Sequence, residues 1–201
     1  MVNVKLYNAG TLMTNCYLVY NDESADCFIV DIGGSCEPMA KDIEKLGLNP
    51  RYIILTHGHG DHTDGLPWLK EKYPDITLVA SKKEKNFLYD RKISYGKGGI
   101  IADIWSSDGD EMTVGTMKLK FISTPGHTPG GQCILVDRIL FSGDTLFHAS
   151  IGRTDLPGGN YEDIQKSITE KLYCLPEDTA VLPGHMDQTS IGYEMRYNPF
   201  V

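Results

Sequence analysis

Three imidazoles and a carboxylate stand within six residues, in the run His57-Gly58-His59-Gly60-Asp61-His62. Neutral imidazole nitrogen and carboxylate oxygen are the usual ligands of first-row metal ions where thiolates are absent. The glycines at 58 and 60 break any amphipathic helix of the kind that carries a His-Glu-x-x-His zinc motif, so the run reads as a loop. It follows Tyr52-Ile53-Ile54-Leu55, an apolar stretch that reads as a buried strand. A loop at a strand end can aim alternate side chains at more than one point.

Further ligand types arrive downstream, each in its own glycine-containing turn. His127 lies in Thr124-Pro125-Gly126-His127-Thr128-Pro129-Gly130, Asp144 in Phe141-Ser142-Gly143-Asp144-Thr145, and His185 in Leu182-Pro183-Gly184-His185. Each turn follows an apolar segment of strand character: Leu119 to Ile122, Ile139 to Phe141 and Ala180 to Leu182. Four strand ends thus present four turns, which is how a rigid scaffold assembles a site from distant parts of a chain. The sixth histidine, His148, falls in none of these turns and is expected at the surface or behind the ligands. Asp31 ends the apolar strand Cys27 to Val30. It either orients a ligand from behind or caps a turn, and Thr56 has the same two readings.

The set His57-x-His59-x-Asp61-His62, His127, Asp144, His185 resembles the metallo-β-lactamase fold superfamily, and within it the glyoxalase-II-like hydrolases. Gly126 to Gly130 and Phe141 to Phe147 resemble the glyoxalase II pattern, and Ile151 to Gly159 and Ile191 to Phe200 resemble its short bacterial, single-domain branch. The resemblance covers nearly the whole chain and implies an αββα sandwich, with residues 1–201 forming one domain. It implies that His57, His59 and His127 hold one metal ion, that Asp61, His62 and His185 hold a second, and that Asp144 bridges them. Zinc is the first expectation for both, with iron or manganese open for the second set, which is richer in carboxylate.

The chemistry implied is hydrolysis of a thioester, such as an S-2-hydroxyacyl-glutathione, by a hydroxide shared between two metal ions, with Asp61 and Asp144 orienting it. A thiolate leaves without needing a protonating acid, unlike the amine of a β-lactam. A bridging Asp144 also separates the chain from metallo-β-lactamases, in which a cysteine or serine takes the corresponding region. Only sixteen residues follow His185. The longer glyoxalase II enzymes use a C-terminal helical domain to grip glutathione, so here the substrate is held otherwise or its thiol is different. The resemblance sets Arg153 near a substrate carboxylate; its other reading is an ion pair with Asp155 or Glu162.

The elements that must position these residues can be read from pattern. Strands are expected at Val4 to Tyr7, Asn15 to Tyr20, Cys27 to Asp31, Tyr52 to Leu55, Ile76 to Ala80, several between Met112 and Phe141, and Thr179 to Leu182. A helix carrying Met39, Ile43 and Leu46 on one face stops at Gly47. Others are expected over Leu66 to Lys72, Lys82 to Tyr89, Tyr161 to Leu172 with Asn160 as its N-cap, and Thr189 to Tyr197. Arg91 to Ile100 reads as irregular.

Composition bounds the partners. A net charge of −8 argues against nucleic acid, and no apolar run reaches membrane-spanning length. With no secretion signal visible, a cytoplasmic location is expected. Five cysteines without a Cys-x-x-Cys spacing suit neither a disulfide framework nor a thiolate metal site; Cys16, Cys27 and Cys133 read as small core residues. From Lys82 to Lys97 six basic residues face two acidic ones. They form a solvated helix face or a rim that draws an anionic substrate. Two other functions stay open: a persulfide dioxygenase with one iron on His57, His127 and Asp144, which Gly152-Arg153-Thr154-Asp155 also resembles, and a non-catalytic metal-binding module.

Overall fold

The computed structural model describes residues 1–201. Its first half begins with strands β1 (Val2–Ala9), β2 (Thr14–Asn21) and β3 (Ser24–Val30), then β4 (Asn49–Ile54), β5 (Thr77–Ser81) and β6 (Ile104–Ser106). They form one six-stranded sheet in the order β1-β2-β3-β4-β5-β6. The β1–β2–β3 pairs are antiparallel, and β3 to β6 run parallel. The parallel crossovers carry helices α1 (Glu37–Lys45), α2 (Gly60–Thr63), α3 (Leu66–Lys72), α4 (Lys85–Tyr89, entered through a 3₁₀ turn at Lys82–Glu84) and α5 (Arg91–Ser94).

The second half builds a matching sheet. It uses β7 (Glu111–Val114), β8 (Met117–Ser123), β9 (Gln132–Val136) and β10 (Ile139–Gly143). A two-stranded ribbon of β11 (Leu146–Phe147) and β12 (Ser150–Ile151) and helix α6 (Tyr161–Lys166) follow, and then β13 (Ala180–Pro183), β14 (Thr189–Ser190) and α7 (Ile191–Tyr197). The order is β14-β13-β10-β9-β8-β7, with only β10 and β13 parallel.

Three apolar clusters define the layers. Val19, Phe28, Val30, Ile54 and Val79 of the first sheet meet Leu119, Phe121, Ile134, Val136 and Phe141 of the second. Met39, Ile43 and Leu69 pack under the first sheet's helices, and Ile164, Ile168 and Leu172 pack α6 and its continuation onto the second. This is the αββα arrangement. Phe141 is fully buried between the sheets, its ring 5.2 Å from Tyr17 and 6.4 Å from Phe28. Truncating such a side chain to alanine removes about 3–5 kcal/mol.

The departures from pattern have local causes. Leu46 is 42 % exposed, because α1 ends at Lys45 and Leu46 caps it. Gly47, at φ +63°, donates to the Glu44 carbonyl and stops the helix as its type allows. Asp31 lies outside β3 and turns to φ +55°. Arg91 to Ile100 contains the single turn α5. The second half of the Tyr161–Leu172 helix widens to π hydrogen bonding over Ser167–Leu172, while the Asn160 side chain caps its start by accepting from Asp163 N. All cysteines are free; Cys16, Cys27 and Cys133 are buried, as is Cys36. No helix is long and apolar enough to cross a membrane.

Candidate metal centre

The C-terminal ends of five strands converge on one point. Beyond β3 comes Asp31, beyond β4 the histidine run, beyond β8 His127, beyond β10 Asp144, and beyond β13 His185. All seven residues marked by the sequence meet there. His57, His59 and His127 form one group of ligand atoms, Asp61, His62 and His185 a second, and His57, His62 and Asp144 a third between them. One local expectation needs correcting. The histidine run is not loop throughout: Gly60–Thr63 closes one helical turn, with Asp64 N donating to Gly60 O at 2.7 Å. That turn separates Asp61 and His62 by about 100° around its axis, so they approach the second group from different sides.

The side-chain tautomers follow from their outer partners. An ionised carboxylate only accepts hydrogen bonds, so His62 Nδ1, 2.7 Å from Asp31 Oδ2, is the donor. Thr56 Oγ1 gives its proton to the same Oδ2 at 2.7 Å and can then accept from His57 Nδ1 at 3.0 Å. His127 Nδ1 donates to the Arg153 carbonyl at 2.7 Å. With a metal ion bound, the Nε2 atoms of His57, His62 and His127 would be the lone pairs aimed inward. Of the two readings of Asp31 and Thr56, the geometry supports the orienting one, since Asp31 also accepts from Thr56 N at 2.8 Å and is 1 % exposed.

Ligand-type nitrogens and oxygens crowd here. His62 Nε2 is 3.3 Å from His185 Nε2 and 3.3 Å from Asp144 Oδ1. His59 Nδ1 is 2.9 Å from His127 Nε2, and His185 Nε2 is 3.0 Å from Asp61 Oδ2. Four ligands around a zinc ion at 2.0–2.1 Å stand about 3.3 Å apart, so these spacings fit a cation between them. His57 Nε2 and Asp144 Oδ1 are buried without a hydrogen-bond partner, as metal-facing atoms would be. The cluster fits divalent metal ions.

Its electrostatics divide accordingly. Burial, reinforced by the neighbouring imidazoles, pushes His57 well below its ordinary range and His59 down to about 4. Burial also acts on His62, but Asp144 and Asp31 override it and hold His62 well above its usual value. His185 is raised too: burial opposes the shift, and the hydrogen bond to Asp61 and the Asp144 charge outweigh it. Asp61 and Asp144 lie below the carboxylate range, because the facing imidazoles outweigh their burial.

A cavity of about 730 Å³ opens over the cluster. Leu12, Phe147, Ile151 and Met186 contribute apolar walls, and Asp64, Tyr95 and Arg153 polar ones. The Arg153 guanidinium is 61 % exposed and binds Asp155 through two contacts of 2.7 Å, with no contact to Glu162. From the basic segment the lining takes Ser94 and Tyr95 and none of the six basic side chains, which are all exposed. His148 is exposed and packs on Tyr193, outside the cluster. Pattern reading missed Glu84, whose carboxylate reaches the backbone of two ligand turns. Its signal was the apolar pair Phe87-Leu88 three and four residues on, which turns Glu84 to the buried side of the helix.

Residues 9–185 match the family model of the metallo-beta-lactamase superfamily, and the chain belongs to that family. It is 40 % identical over 202 residues to the probable metallo-hydrolase YqgX of Bacillus subtilis, covering 96 % of this chain and 94 % of that one. It is 34 % identical over 210 residues to the hydroxyacylglutathione hydrolase GloC of Haemophilus influenzae, covering 100 % and 98 %. The solved structure described as BLEG-1 B3 metallo-beta-lactamase superposes with a TM-score of 0.92 at 35 % identity, over 98 % and 99 % of the two chains. Family membership supports an enzyme of the metallo-hydrolase kind.

Proposed function

We propose that the chain, folded as one domain, is a hydrolase that holds two divalent metal ions and cleaves thioesters of the glyoxalase II type. The observation that carries this reading is the pair of ligand groups joined through Asp144, whose Oδ1 is 3.3 Å from His62 Nε2 and whose Oδ2 is 3.5 Å from His127 Nε2. His57, His59 and His127 would hold one ion, Asp61, His62 and His185 the other, and Asp144 both. Zinc suits the all-histidine set, while the second set would take zinc, iron or manganese. Bound there, the ions would bring the pKa of a shared water toward neutrality and polarise the substrate carbonyl.

The chain's own groups support the remaining requirements. Asp61 and Asp144 are ionised at neutral pH and can accept hydrogen bonds from the attacking water, so they orient it. Water adds to the acyl carbon, the carbon–sulfur bond breaks, and the thiolate leaves into the open cavity without a protonating side chain. Arg153 is the cation of the lining. We assign it to a carboxylate of an anionic thioester, in exchange for Asp155.

The test is a substrate panel on the metal-loaded protein: S-lactoylglutathione, an uncharged thioester of the same acyl group, a β-lactam, and glutathione persulfide with oxygen consumption recorded. The reading expects thiol release from thioesters above the other reactions. Oxygen consumption without hydrolysis would replace it with the dioxygenase, preferential β-lactam opening with the lactamase, and no turnover at full metal loading with a binding module.

A further inference from the structure

One buried acidic side chain has no part in the chemistry above. Glu84 is 1 % exposed, in a segment whose lysines and arginine all lie in solvent. Its Oε2 accepts from Gly58 N at 2.8 Å and its Oε1 from Gly130 N at 2.7 Å. Gly58 separates His57 from His59, and Gly130 lies three residues beyond His127. A single carboxylate therefore ties the turn after β4, in one sheet, to the turn after β8, in the other. Its two contacts fall beside His57 and His59 and in the turn that carries His127, while Asp61 and His62 lie three and four residues beyond Gly58 and His185 lies in a turn it does not reach.

Both partners have to be glycine for this approach. A Cβ at Gly58 would stand 2.8 Å from Glu84 Oε2 and 3.0 Å from Phe87 Cβ. One at Gly130 would stand 2.5 Å from Glu84 N and 2.8 Å from its Oε1. Phe87, on the same helix, sets its ring 5.7 Å from the His59 ring. Burying a carboxylate away from any cation is unfavourable unless hydrogen bonds hold it, and burial does push the Glu84 carboxyl above its usual range. An apolar residue would fill this space at less expense. What it could not do is fix two amides from separate sheets at one distance.

Resting on the reading of two ligand sets, we propose that Glu84 is a positioning residue for the His57, His59 and His127 set. It fixes the spacing of those three imidazoles and so the affinity of that set for its metal ion, without acting on Asp61, His62 and His185. Of the latter, His62 is held from another side by Asp31, and His185 by Asp61. Sites of this kind tolerate displacements of only about half an ångström, so a tie between the two turns bears directly on the spacing of the three imidazoles.

Glu84→Gln preserves the shape and turns one acceptor into an NH₂ group that faces a backbone N–H. The measurement is zinc affinity by competition with a chromophoric chelator, in two backgrounds. His185→Ala keeps the three-histidine set, and there Glu84→Gln should weaken zinc by about 10–100-fold and alter the visible absorption of the cobalt form. His127→Ala keeps the other set, and there the affinity should be unchanged within the error of the titration. Equal weakening in both backgrounds, or no weakening in either, overturns the proposal. Should Glu84→Gln not fold, Glu84→Asp keeps the charge but is too short to reach both amides, and must show the same selective loss. The readout needs no substrate, so failure of the thioester assignment leaves it intact. A His127→Ala protein that binds no metal would end the two-set reading while the Glu84 effect is still read in His185→Ala.

Discussion

Asp31→Asn isolates the carboxylate that sets the tautomers of His62 and His57. Asparagine tolerates a left-handed backbone, so the φ of +55° at this position adds no new strain, as alanine would. Three protons converge on Asp31: Thr56 N–H on Oδ1, and Thr56 Oγ1–H and His62 Nδ1–H on Oδ2. An amide can accept on one side only. If its NH₂ takes the Oδ2 position, it meets two donors; His62 relieves this by moving its proton to Nε2, the atom 3.3 Å from His185 Nε2 that a metal ion needs bare. If the amide is flipped, Thr56 N–H is left buried against N–H. Leaving a buried group unsatisfied costs about 1–3 kcal/mol. At 1.4 kcal/mol per decade this corresponds to roughly a 10–100-fold loss, the range typical of changes behind a metal ligand. Chelator competition on the purified variant should show that loss at the set containing His62, with a smaller one at the set containing His57, and the metal-free protein should melt several degrees lower because the same group is unsatisfied without metal. Wild-type affinity at both sets would refute the tautomer argument.

Asp144→Ala removes the shared ligand, and should release at least one metal ion and lower thioester turnover by about a hundredfold or more; elemental analysis beside steady-state rates checks both. Arg153→Ala should raise KM for S-lactoylglutathione more than it lowers kcat, with a penalty that shrinks as salt rises. Asp155→Ala, which frees the guanidinium, should lower KM, and an unchanged KM in both variants would return Arg153 to the scaffold. In the metal-free protein, His57 and His59 titrate below the unfolded value near 6.5. The unfolded chain therefore takes up their protons first, and stability falls as pH drops from 6.5 toward 4, His59 alone contributing about 3 kcal/mol. His62 and His185 are raised, so their contribution is complete below 6.5 and is lost as pH rises through their folded values. Urea unfolding across pH should show a maximum near 6.5, and a flat acid limb would contradict the assignment.

The clustered residues were legible because a metal site needs particular side chains at strand ends, and glycine turns after apolar runs mark strand ends in any chain. The αββα layering was legible through the same strands together with the resemblance they carry. The supporting residues were harder to read. Asp31 and Thr56 act through hydrogen bonds across β3 and β4, and their direction depends on a positive φ that apolar patterning does not report. Glu84 was hidden in a stretch dominated by lysine, where net charge points outward although the helix turns this one carboxylate inward. Arg153 contributes its carbonyl to His127 as well as its guanidinium to the cavity, and backbone contacts of that kind leave no trace in residue type. The turn at Gly60–Thr63 escaped because two glycines suggest a loop, whereas close packing of Gly60 on Gly96 requires glycine there within a helix.

The central claim is that the two ligand groups each hold an ion and that hydrolysis depends on both. Elemental analysis of the protein loaded with zinc, manganese or iron in turn, with thiol release from a thioester followed as a chelator removes the metal, tests it most directly. The account predicts two ions per chain, turnover that falls as the first of them leaves, and recovery when the metal is restored. One iron per chain whatever metal is supplied, with oxygen consumed and no thioester cleaved, would contradict it.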